Sequence, residues 1–249
     1  MSTSNAPPST AAPSPKTLVV VCTYNERENL PRLLPRILAA LPKADLLVVD
    51  DDSPDGTGTW AESAAESEPR LHVLVRKDER GLGSALRAGI QFGHQGKYEF
   101  LLNLDGDLSH SPEDLPRLLD AALATDPPAD VVVGSRYVAG GKIEGWPLRR
   151  KLMSRMVNSF ATRALKLPVK DSSGALRCYR MATLAKLPAG ALKSDGYAML
   201  EELLLGLHRN GAKFAEIPIT FHDRTEGDSK LTMAETFRSV RSLLSMIGK

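Results

Sequence analysis

The chain has 249 residues, of which 42% are hydrophobic and 25% are charged, and its formal net charge is +2. This length and balance are typical of one α/β domain with a sizeable core, and so small a net charge does not indicate a nucleic-acid partner. The two cysteines, Cys22 and Cys178, lack the spacing of a metal site or a disulfide framework. No stretch approaches the roughly 20 apolar residues of a transmembrane helix, and the N-terminus lacks the pattern of a signal peptide. We therefore expect an intracellular protein with reduced cysteines.

The first half of the chain alternates between strand and helix patterns. Residues 1–15 are rich in Pro, Ser and Ala and predict a disordered tail. An uninterrupted apolar run at 17–22 then predicts a buried parallel strand, and apolar residues at helical spacing predict a helix over 26–41. Further strands are predicted at 46–49, 71–75, 100–104 and 131–133. A short helix is predicted after Gly56, and longer helices are predicted over 82–92 and 112–124. Ser111 is expected to be the N-cap of the helix over 112–124.

This alternation predicts a twisted, mainly parallel sheet with helices on both faces. Ligands of such sheets bind at the carboxyl ends of the strands. Three of those ends carry carboxylates, within the segments 24–26, 50–52 and 105–107. The sequence therefore predicts that the acidic groups converge on one rim of the sheet.

The rest of the chain has a different pattern. Residues 147–166 contain six basic residues and no acidic one, interleaved with Leu, Met, Val and Phe. This is typical of an interfacial helix, whose arginines can hold phosphate oxygens while its apolar side chains face acyl or prenyl chains. The alternative is a surface helix whose apolar stripe packs on the sheet. Beyond it we predict strands near 175–180 and over 214–221, a helix around 200–209, a polar loop over 223–230 and an amphipathic helix over 233–249.

Asp105-Gly106-Asp107 carries the clearest chemical signal. Two carboxylates separated by one small residue at a strand end can approach one divalent cation. Mg²⁺ or Mn²⁺ held there would bridge the two phosphates of a nucleotide-sugar and neutralise charge on the leaving diphosphate. The alternative is a polar turn, because Asp-Gly pairs are common in turns; the position after a buried strand favours the metal.

Polar residues at the two neighbouring strand ends can serve the same nucleotide. The adjacent carboxylates of Asp50-Asp51-Asp52 repel one another and need donors such as a ribose, a base edge or backbone amides. A solvated acidic turn is the alternative. Tyr24 can contact a base or ribose, and Glu26 can accept from a base N–H.

Several motifs together resemble the inverting GT-A glycosyltransferases of family 2, and more narrowly the dolichol-phosphate (polyprenol monophosphate) mannose synthases. The resemblance covers about 17–232 and implies a GT-A Rossmann-like fold over 16–232 with a membrane-facing helical extension. The motifs are Thr23-Tyr24-Asn25-Glu26, the run 48–57, the run 105–110, Gly134-Ser135-Arg136-Tyr137, Trp146 with Arg149-Arg150-Lys151, Asp171-Ser172-Ser173-Gly174, and Arg224 with Gly227-Asp228-Ser229-Lys230.

The resemblance implies a role for each matching position. Catalysis is expected from Asp107, Arg136 and Arg150, the metal ligands are Asp105 and Asp107, and Ser154 joins Arg136 and Arg150 around the acceptor phosphate. Arg224 and Lys230 would clamp the donor from a mobile loop. The remaining nucleotide-sugar contacts are Cys22, Tyr24, Glu26, Val49, Asp51, Gly106 and Ser109.

Two positions depart from the family pattern. Cys22 replaces the usual proline before Thr23, a modest change to the base pocket. Ser109 stands where related enzymes often have a glutamine near the metal, and its shorter side chain leaves that coordination position to water. His110 and His222 have no second histidine at helical spacing, so we interpret them as structural or peripheral.

The activity implied by the resemblance is transfer of mannose from GDP-mannose to a polyprenyl (dolichyl) phosphate, giving a β-linked product. A lipid phosphate is already an anion, so positioning and charge neutralisation can suffice without a general base. The alternatives are a glucosyltransferase that uses UDP-glucose and a nucleotide-binding partner subunit without catalysis. A nucleotidyltransferase would need a glycine-rich loop after the first strand, where this chain has Thr23-Tyr24-Asn25-Glu26. We expect the protein to bind the cytoplasmic face of a membrane peripherally, directly or through a small membrane partner.

Overall fold

A seven-stranded sheet forms the centre of the fold in the computed structural model, which describes residues 14–223 apart from 125–127, 189, 195 and 197. The described strands are β1 (Thr17–Thr23), β2 (Asp45–Asp50), β3 (Leu71–Val75), β4 (Phe100–Asp105), β5 (Val131–Ser135), β6 (Lys142–Glu144), β7 (Arg177–Arg180), β8 (Phe214–Pro218) and β9 (Thr220–His222). The described helices are α1 (Leu30–Ala40), α2 (Thr57–Ala65), α3 (Leu82–Gln95), α4 (Leu115–Leu123), α5 (Leu148–Ala164), α6 (Met181–Leu184) and α7 (Met199–Arg209).

The order of the strands in the central sheet is β3-β2-β1-β4-β7-β5-β8. Neighbours are parallel throughout, except that β7 runs antiparallel to both β4 and β5. The predicted mainly parallel α/β sheet is therefore confirmed. A separate parallel pair is formed by β6 and β9.

The carboxyl ends of β1, β2 and β4 are level with one another. Cys22 lies opposite Val49 of β2 on one side and opposite Asp105 of β4 on the other. The polar segments that follow these strands consequently start from the same rim, as the alternation of strands and helices predicts.

Apolar layers cover both faces of the sheet because successive side chains of a strand point to opposite sides. Leu18 and Val20 of β1 belong to the layer that includes residues of α3 and α7, whereas Val19 and Val21 belong to the layer that includes residues of α1 and α4. The continuous apolar runs of the central strands are thus explained by burial on both sides.

Some element boundaries differ from the sequence expectation. Helix α1 begins at Leu30 instead of 26, since 26–29 form a turn in which the amides of Asn29 and Leu30 donate to the Glu26 carbonyl. The predicted strand over 214–221 is split at Ile219, whose amide donates to the Ser135 carbonyl, and β9 then pairs with β6.

Two further expectations are wrong in detail. The segment predicted as one helix over 112–124 opens with a 3₁₀ turn at Pro112–Asp114 before α4 starts. The Ser111 hydroxyl donates to the Glu113 carboxylate and makes no side-chain capping bond.

Several predictions fall on residues outside the described ranges. These are most of the 1–15 tail, Arg224 and Lys230, and the helix over 233–249. Cys22 and Cys178 are free cysteines, as predicted. Among the described helices, none combines the length and apolar character needed to cross a membrane.

Close packing of α3 on β1 depends on Gly89 and gives a test of the fold. A Cβ atom at Gly89 would lie 2.7 Å from Cγ1 of the fully buried, branched Val20. We expect Gly89→Val to lower the free energy of unfolding by about 3 kcal/mol, at the upper end of overpacking costs. Urea unfolding measures this change. Gln91→Val, which adds the same side chain at an exposed position of α3, should cost less than about 1 kcal/mol; equal losses would contradict the packing argument.

Candidate active site

The loop after β4 presents the aspartates of Asp105-Gly106-Asp107 at the rim. Asp107 is buried and its Oδ1 accepts from the Ser109 amide at 3.0 Å, while Asp105 is partly exposed. A Cβ atom at Gly106 would lie 3.2 Å from Cγ2 of Thr23 and 3.3 Å from Cγ of Glu26. A glycine at this position therefore lets the aspartate loop pack closely against the end of β1.

Asp105 and Asp107 are suited to a hard divalent cation that shares its ligands with a phosphate. Within the described ranges, no three His, Cys, Asp or Glu side chains are grouped so that they could hold an ion by themselves. Mg²⁺ commonly binds through one or two carboxylates, with phosphate oxygens and water as the remaining ligands. Beside these carboxylates lie the hydroxyl of Ser109 and both ring nitrogens of His110, all buried and without a hydrogen-bond partner in the described structure. Such groups fit a site that is completed by a ligand or water.

The acidic loop after β2 obtains most of its hydrogen-bond donors from the protein. Asp50 accepts from the Thr23 hydroxyl at 2.8 Å and from the Ser53 amide at 2.9 Å. Asp51 accepts from the Arg76 guanidinium and, at 2.7 Å, from the Gly81 amide. Asp52 is exposed. Asp50 and Asp51 thus shape the loop, and contact of Asp51 with a nucleotide stays a prediction.

Arg76 was missed from the sequence, although it has a recognisable signal. It directly follows β3, the strand next to β2, so its position at the rim follows from the strand order. A cation beside consecutive carboxylates lowers their mutual repulsion. The order of the strands is the information that the sequence pattern lacks.

The end of β1 places the predicted base-contacting residues together. Tyr24 is half-buried, with the Arg80 guanidinium 5.3 Å from its ring centroid. Glu26 is buried and accepts from Nδ2 of Asn29 at 2.7 Å. Burial, with a smaller contribution from Asp51, raises the pKa of the Cys22 thiol to about 12, so this side chain stays neutral. Val49 is buried beside it.

Arg136 and Asp171 form a buried ion pair at the end of β5. The guanidinium donates to both carboxylate oxygens at 2.7 Å, and the Arg136 amide donates to the same carboxylate at 3.0 Å. Burial opposes both charges, but the attraction outweighs it, so the pKa of Asp171 is lowered and that of Arg136 is raised. Arg136 therefore has a protein partner, and its contact with a phosphate stays a prediction.

Two further buried ionisable residues, Arg177 and Glu201, extend this network and were also missed. Arg177 is fully buried in β7, where it donates to the carbonyls of Ser172 at 2.5 Å and Leu200 at 2.8 Å. Glu201, at the start of α7, is buried near it, and desolvation raises the pKa of its carboxyl to about 7. The signal in the sequence is a charged residue within the apolar run at 175–179.

Helix α5 is fixed to the Asp171 loop and carries the predicted acceptor residues. Oδ1 of Asn158 accepts from the Ser172 amide at 2.9 Å and from its hydroxyl at 3.2 Å. Nearer its start, Ser154 shares a hydrogen bond of 2.8 Å with the Tyr137 hydroxyl. Ser154 therefore contacts the residue that follows Arg136 in the chain, and its contact with an acceptor phosphate stays a prediction.

An aromatic layer connects the aspartate loop with Arg150. It consists of His110, Phe221 and Trp146, whose successive ring centroids are 5.2 and 5.3 Å apart. The Arg150 guanidinium lies 4.0 Å from the Trp146 ring centroid and donates to Asp223 at 3.2 Å. Burial lowers the pKa of His110 to about 4, so the imidazole in this layer is neutral.

The outer face of α5 is apolar and exposed between basic residues. All the exposed large apolar side chains of the described structure except Leu74 and Leu123 lie on this helix. A groove of about 610 Å³ runs along it. The exposed residues are Leu148, Leu152, Met153, Met156, Val157 and Phe160, and the groove is lined by Leu152, Arg155, Met156, Ser159, Phe160, Arg163 and Ala164.

The fold and the aspartate pair at its rim indicate a glycosyltransferase, and comparisons with known proteins support this class. Residues 18–187 match the glycosyl transferase family 2, and the chain belongs to that family. It is 42% identical over 226 residues to a polyprenol monophosphomannose synthase of Mycolicibacterium smegmatis, covering 90% of this chain and 84% of the relative. It is also 42% identical over 217 residues to an undecaprenyl-phosphate mannosyltransferase of Micrococcus luteus, covering 87% and 88%.

A solved structure supports the fold by its shape. Glucosyl-3-phosphoglycerate synthase from Mycobacterium tuberculosis, crystallised with Mn²⁺, UDP and phosphoglyceric acid, superposes with a TM-score of 0.67 and 19% identity. The match covers 94% of this chain and 79% of that one. The predicted GT-A-like architecture is therefore confirmed.

The raised pKa of Glu201 predicts how stability depends on pH. A folded-state pKa of about 7, above the ordinary value of 4.5, means that the folded protein binds the extra proton between these values. Stability is then lost as pH rises through this window. Glu201→Gln should therefore gain stability relative to the wild type between pH 5 and 8, by up to about 3 kcal/mol. Urea unfolding across that range measures the difference.

The control for this prediction is a solvent-exposed glutamate, Glu66, at the C-terminal end of α2. Glu66 is exposed, so Glu66→Gln should shift stability by less than about 0.5 kcal/mol at every pH. A Glu201→Gln difference that is constant from pH 5 to 8 would mean that Glu201 is ionised throughout.

Proposed function

We propose that this chain transfers mannose from GDP-mannose to a polyprenyl phosphate, with inversion at the anomeric carbon. The observation that carries the proposal is the position of α5, which holds Arg150 and Ser154 beside an exposed apolar face. The aromatic layer joins this helix to the aspartate loop. The names of the two bacterial relatives support both the sugar and the lipid.

On the donor side, Asp105 and Asp107 would hold Mg²⁺ or Mn²⁺ against the diphosphate. The bound cation supplies charge neutralisation for the departing GDP. Tyr24, Glu26 and Asp51, at the ends of β1 and β2, would contact the base and ribose. Arg224 and Lys230, within a domain that we take to span 16–232, would clamp the diphosphate.

On the acceptor side, Arg150, Arg136 and Ser154 would orient the lipid phosphate. An oxygen of that phosphate attacks the anomeric carbon, and the bond from that carbon to the GDP oxygen breaks, with its electron pair leaving on GDP. The nucleophile is an anion, so no proton has to be removed in this step. The protein has to align two anions that repel each other, the lipid phosphate and the donor diphosphate. Several cations and a site that contains little water favour this alignment.

The alternatives differ in donor or in catalysis. A glucosyltransferase that uses UDP-glucose would keep the same acceptor chemistry, because base and sugar are selected by pocket contacts at the donor end. A non-catalytic partner subunit would have no need of paired aspartates at the rim together with Arg150 and Ser154 on α5. The names of the relatives favour neither alternative.

The reaction can be tested with purified protein, a short polyprenyl phosphate, Mn²⁺ or Mg²⁺, and GDP-mannose or UDP-glucose in parallel. We expect a hexosyl-phosphate lipid from GDP-mannose, detected by mass spectrometry. Asp107→Asn should lower turnover at least about 100-fold, because a catalytic cation contributes several kcal/mol. Asp52→Asn removes an exposed carboxylate at the same rim and should leave turnover within about threefold.

The outcomes of this assay separate the alternatives. Product from UDP-glucose alone would keep the acceptor chemistry and change the donor. Full turnover by Asp107→Asn would rule out the proposed metal site. Binding of GDP without product from either donor would favour the partner-subunit alternative.

Peripheral membrane binding through the outer face of α5 is a further part of the proposal. We expect Met156→Ser with Phe160→Ser to lower partitioning onto phosphatidylglycerol-containing vesicles at least about tenfold, because each buried apolar side chain contributes about 1.5–3 kcal/mol. Co-sedimentation measures the bound fraction. Leu74→Ser with Leu123→Ser removes the two exposed large apolar residues that the described ranges contain outside α5, and it should leave binding unchanged. Equal losses in both variants would exclude α5 as the membrane-binding face.

A further inference from the structure

His110 is a buried polar residue whose hydrogen-bonding capacity is unused. Only 1% of its surface is exposed, and neither ring nitrogen has a hydrogen-bond partner in the described structure. Burying a polar group without a partner costs free energy, so such a group calls for an explanation. A leucine or phenylalanine would fill the same space without that cost.

A candidate partner of the ring is the carboxylate of Asp105. Nδ1 of His110 lies 3.6 Å from Oδ2 of Asp105, just beyond hydrogen-bond distance. A movement of about 0.7 Å would bring the two atoms within that range. The neutral imidazole has one N–H to donate, and a carboxylate is an acceptor for it.

The position of the ring is restrained on its other sides. Its plane meets that of Phe221 at 82°, edge to face, with the centroids 5.2 Å apart. The preceding carbonyl, that of Ser109, accepts from the His222 amide at 3.0 Å, which ties the loop to β9. Because the ring is held on these sides, the approach would come from the side chain of Asp105, which is 30% exposed.

We propose that His110 is a positioning residue which donates a hydrogen bond to Asp105 and fixes the orientation in which that carboxylate binds the divalent cation. The inference rests on the proposed metal site at Asp105 and Asp107. Carboxylates that bind metals are generally held by such outer hydrogen bonds, and loss of one typically weakens metal affinity about 10–100-fold. His110 would act through Asp105 and not on the substrate.

A role in packing alone is the competing explanation, and two variants of His110 distinguish it from a role in hydrogen bonding. His110→Phe keeps an aromatic ring against Phe221 and removes both nitrogens. His110→Asn removes the ring and keeps an N–H donor close to the position of Nδ1. If the hydrogen bond matters, the Phe variant has the weaker metal site; if packing alone matters, the Asn variant does.

The measurement is the dissociation constant of Mn²⁺ in the presence of GDP, from the electron paramagnetic resonance signal of free Mn²⁺. We expect His110→Phe to raise this constant about tenfold or more, and His110→Asn to raise it less. The thermal midpoint without metal is measured in parallel. It should be unchanged or higher for His110→Phe, which loses no packing, and lower for His110→Asn.

Two results would overturn the proposal. The first is an Mn²⁺ affinity of His110→Phe equal to that of the wild type. The second is weaker Mn²⁺ binding by His110→Asn than by His110→Phe. Asp105→Asn distinguishes this failure from failure of the site itself. If Asp105→Asn loses Mn²⁺ affinity while His110→Phe keeps it, only the role of His110 is wrong. If the wild type binds no Mn²⁺ with GDP, or Asp105→Asn binds it equally well, the metal site and the inference fall together.

Discussion

The buried pair of Arg136 and Asp171 is the interaction on which the acceptor half of this protein depends. Asp171 lies in the loop before β7, where it accepts from the guanidinium and the amide of Arg136 and from the Gly174 amide. The same loop is held by Glu216 of β8, which accepts from the amides of Lys170 and Asp171. Loss of one partner of such a pair leaves a buried charge uncompensated, at a cost of about 3–5 kcal/mol. The loop, β5 and β8 are therefore fixed together.

This arrangement also explains the place of α5. The helix buries few residues, among them Asn158, and it is Asn158 that bonds to Ser172 of the Asp171 loop. Ser154 and Arg150 precede Asn158 by about one and two turns on the same helix. The two predicted acceptor residues on α5 therefore take their positions from the loop that Asp171 organises.

Much of the fold was predictable because its signals are local. Continuous apolar runs indicate strands that are covered on both faces, and their alternation with helical patterns indicates a parallel sheet. The aspartates at the end of β4 could be identified from the sequence for the same reason. A carboxylate pair directly after a buried strand is a pattern of a few consecutive residues. The antiparallel direction of β7 has no such local signal, since it depends on which strands it pairs with.

What could not be predicted depends on contacts between distant segments. The pairing of Arg76 with Asp51 needs the strand order, and the pairing of Arg136 with Asp171 needs the position of β7 beside β5. The sequence indicates a structural or peripheral role for His110, because no second histidine lies at helical spacing from it. Its distance from Asp105 is the basis for the positioning role that we propose. The split of the predicted strand at Ile219 likewise follows from a bond to Ser135.

The shape of α5 bears on which lipids the protein can accept. Its 17 residues extend for about 25 Å, and the polar residues near its start lie on the side of the site, while its exposed apolar face continues toward its end. A lipid lying along this face would meet α5 with its phosphate and only the first few of its isoprene units. Units beyond that length would extend past the end of the helix. Selectivity among acceptors should then follow the head of the lipid and the saturation of the units next to it, and long and short tails should be treated alike.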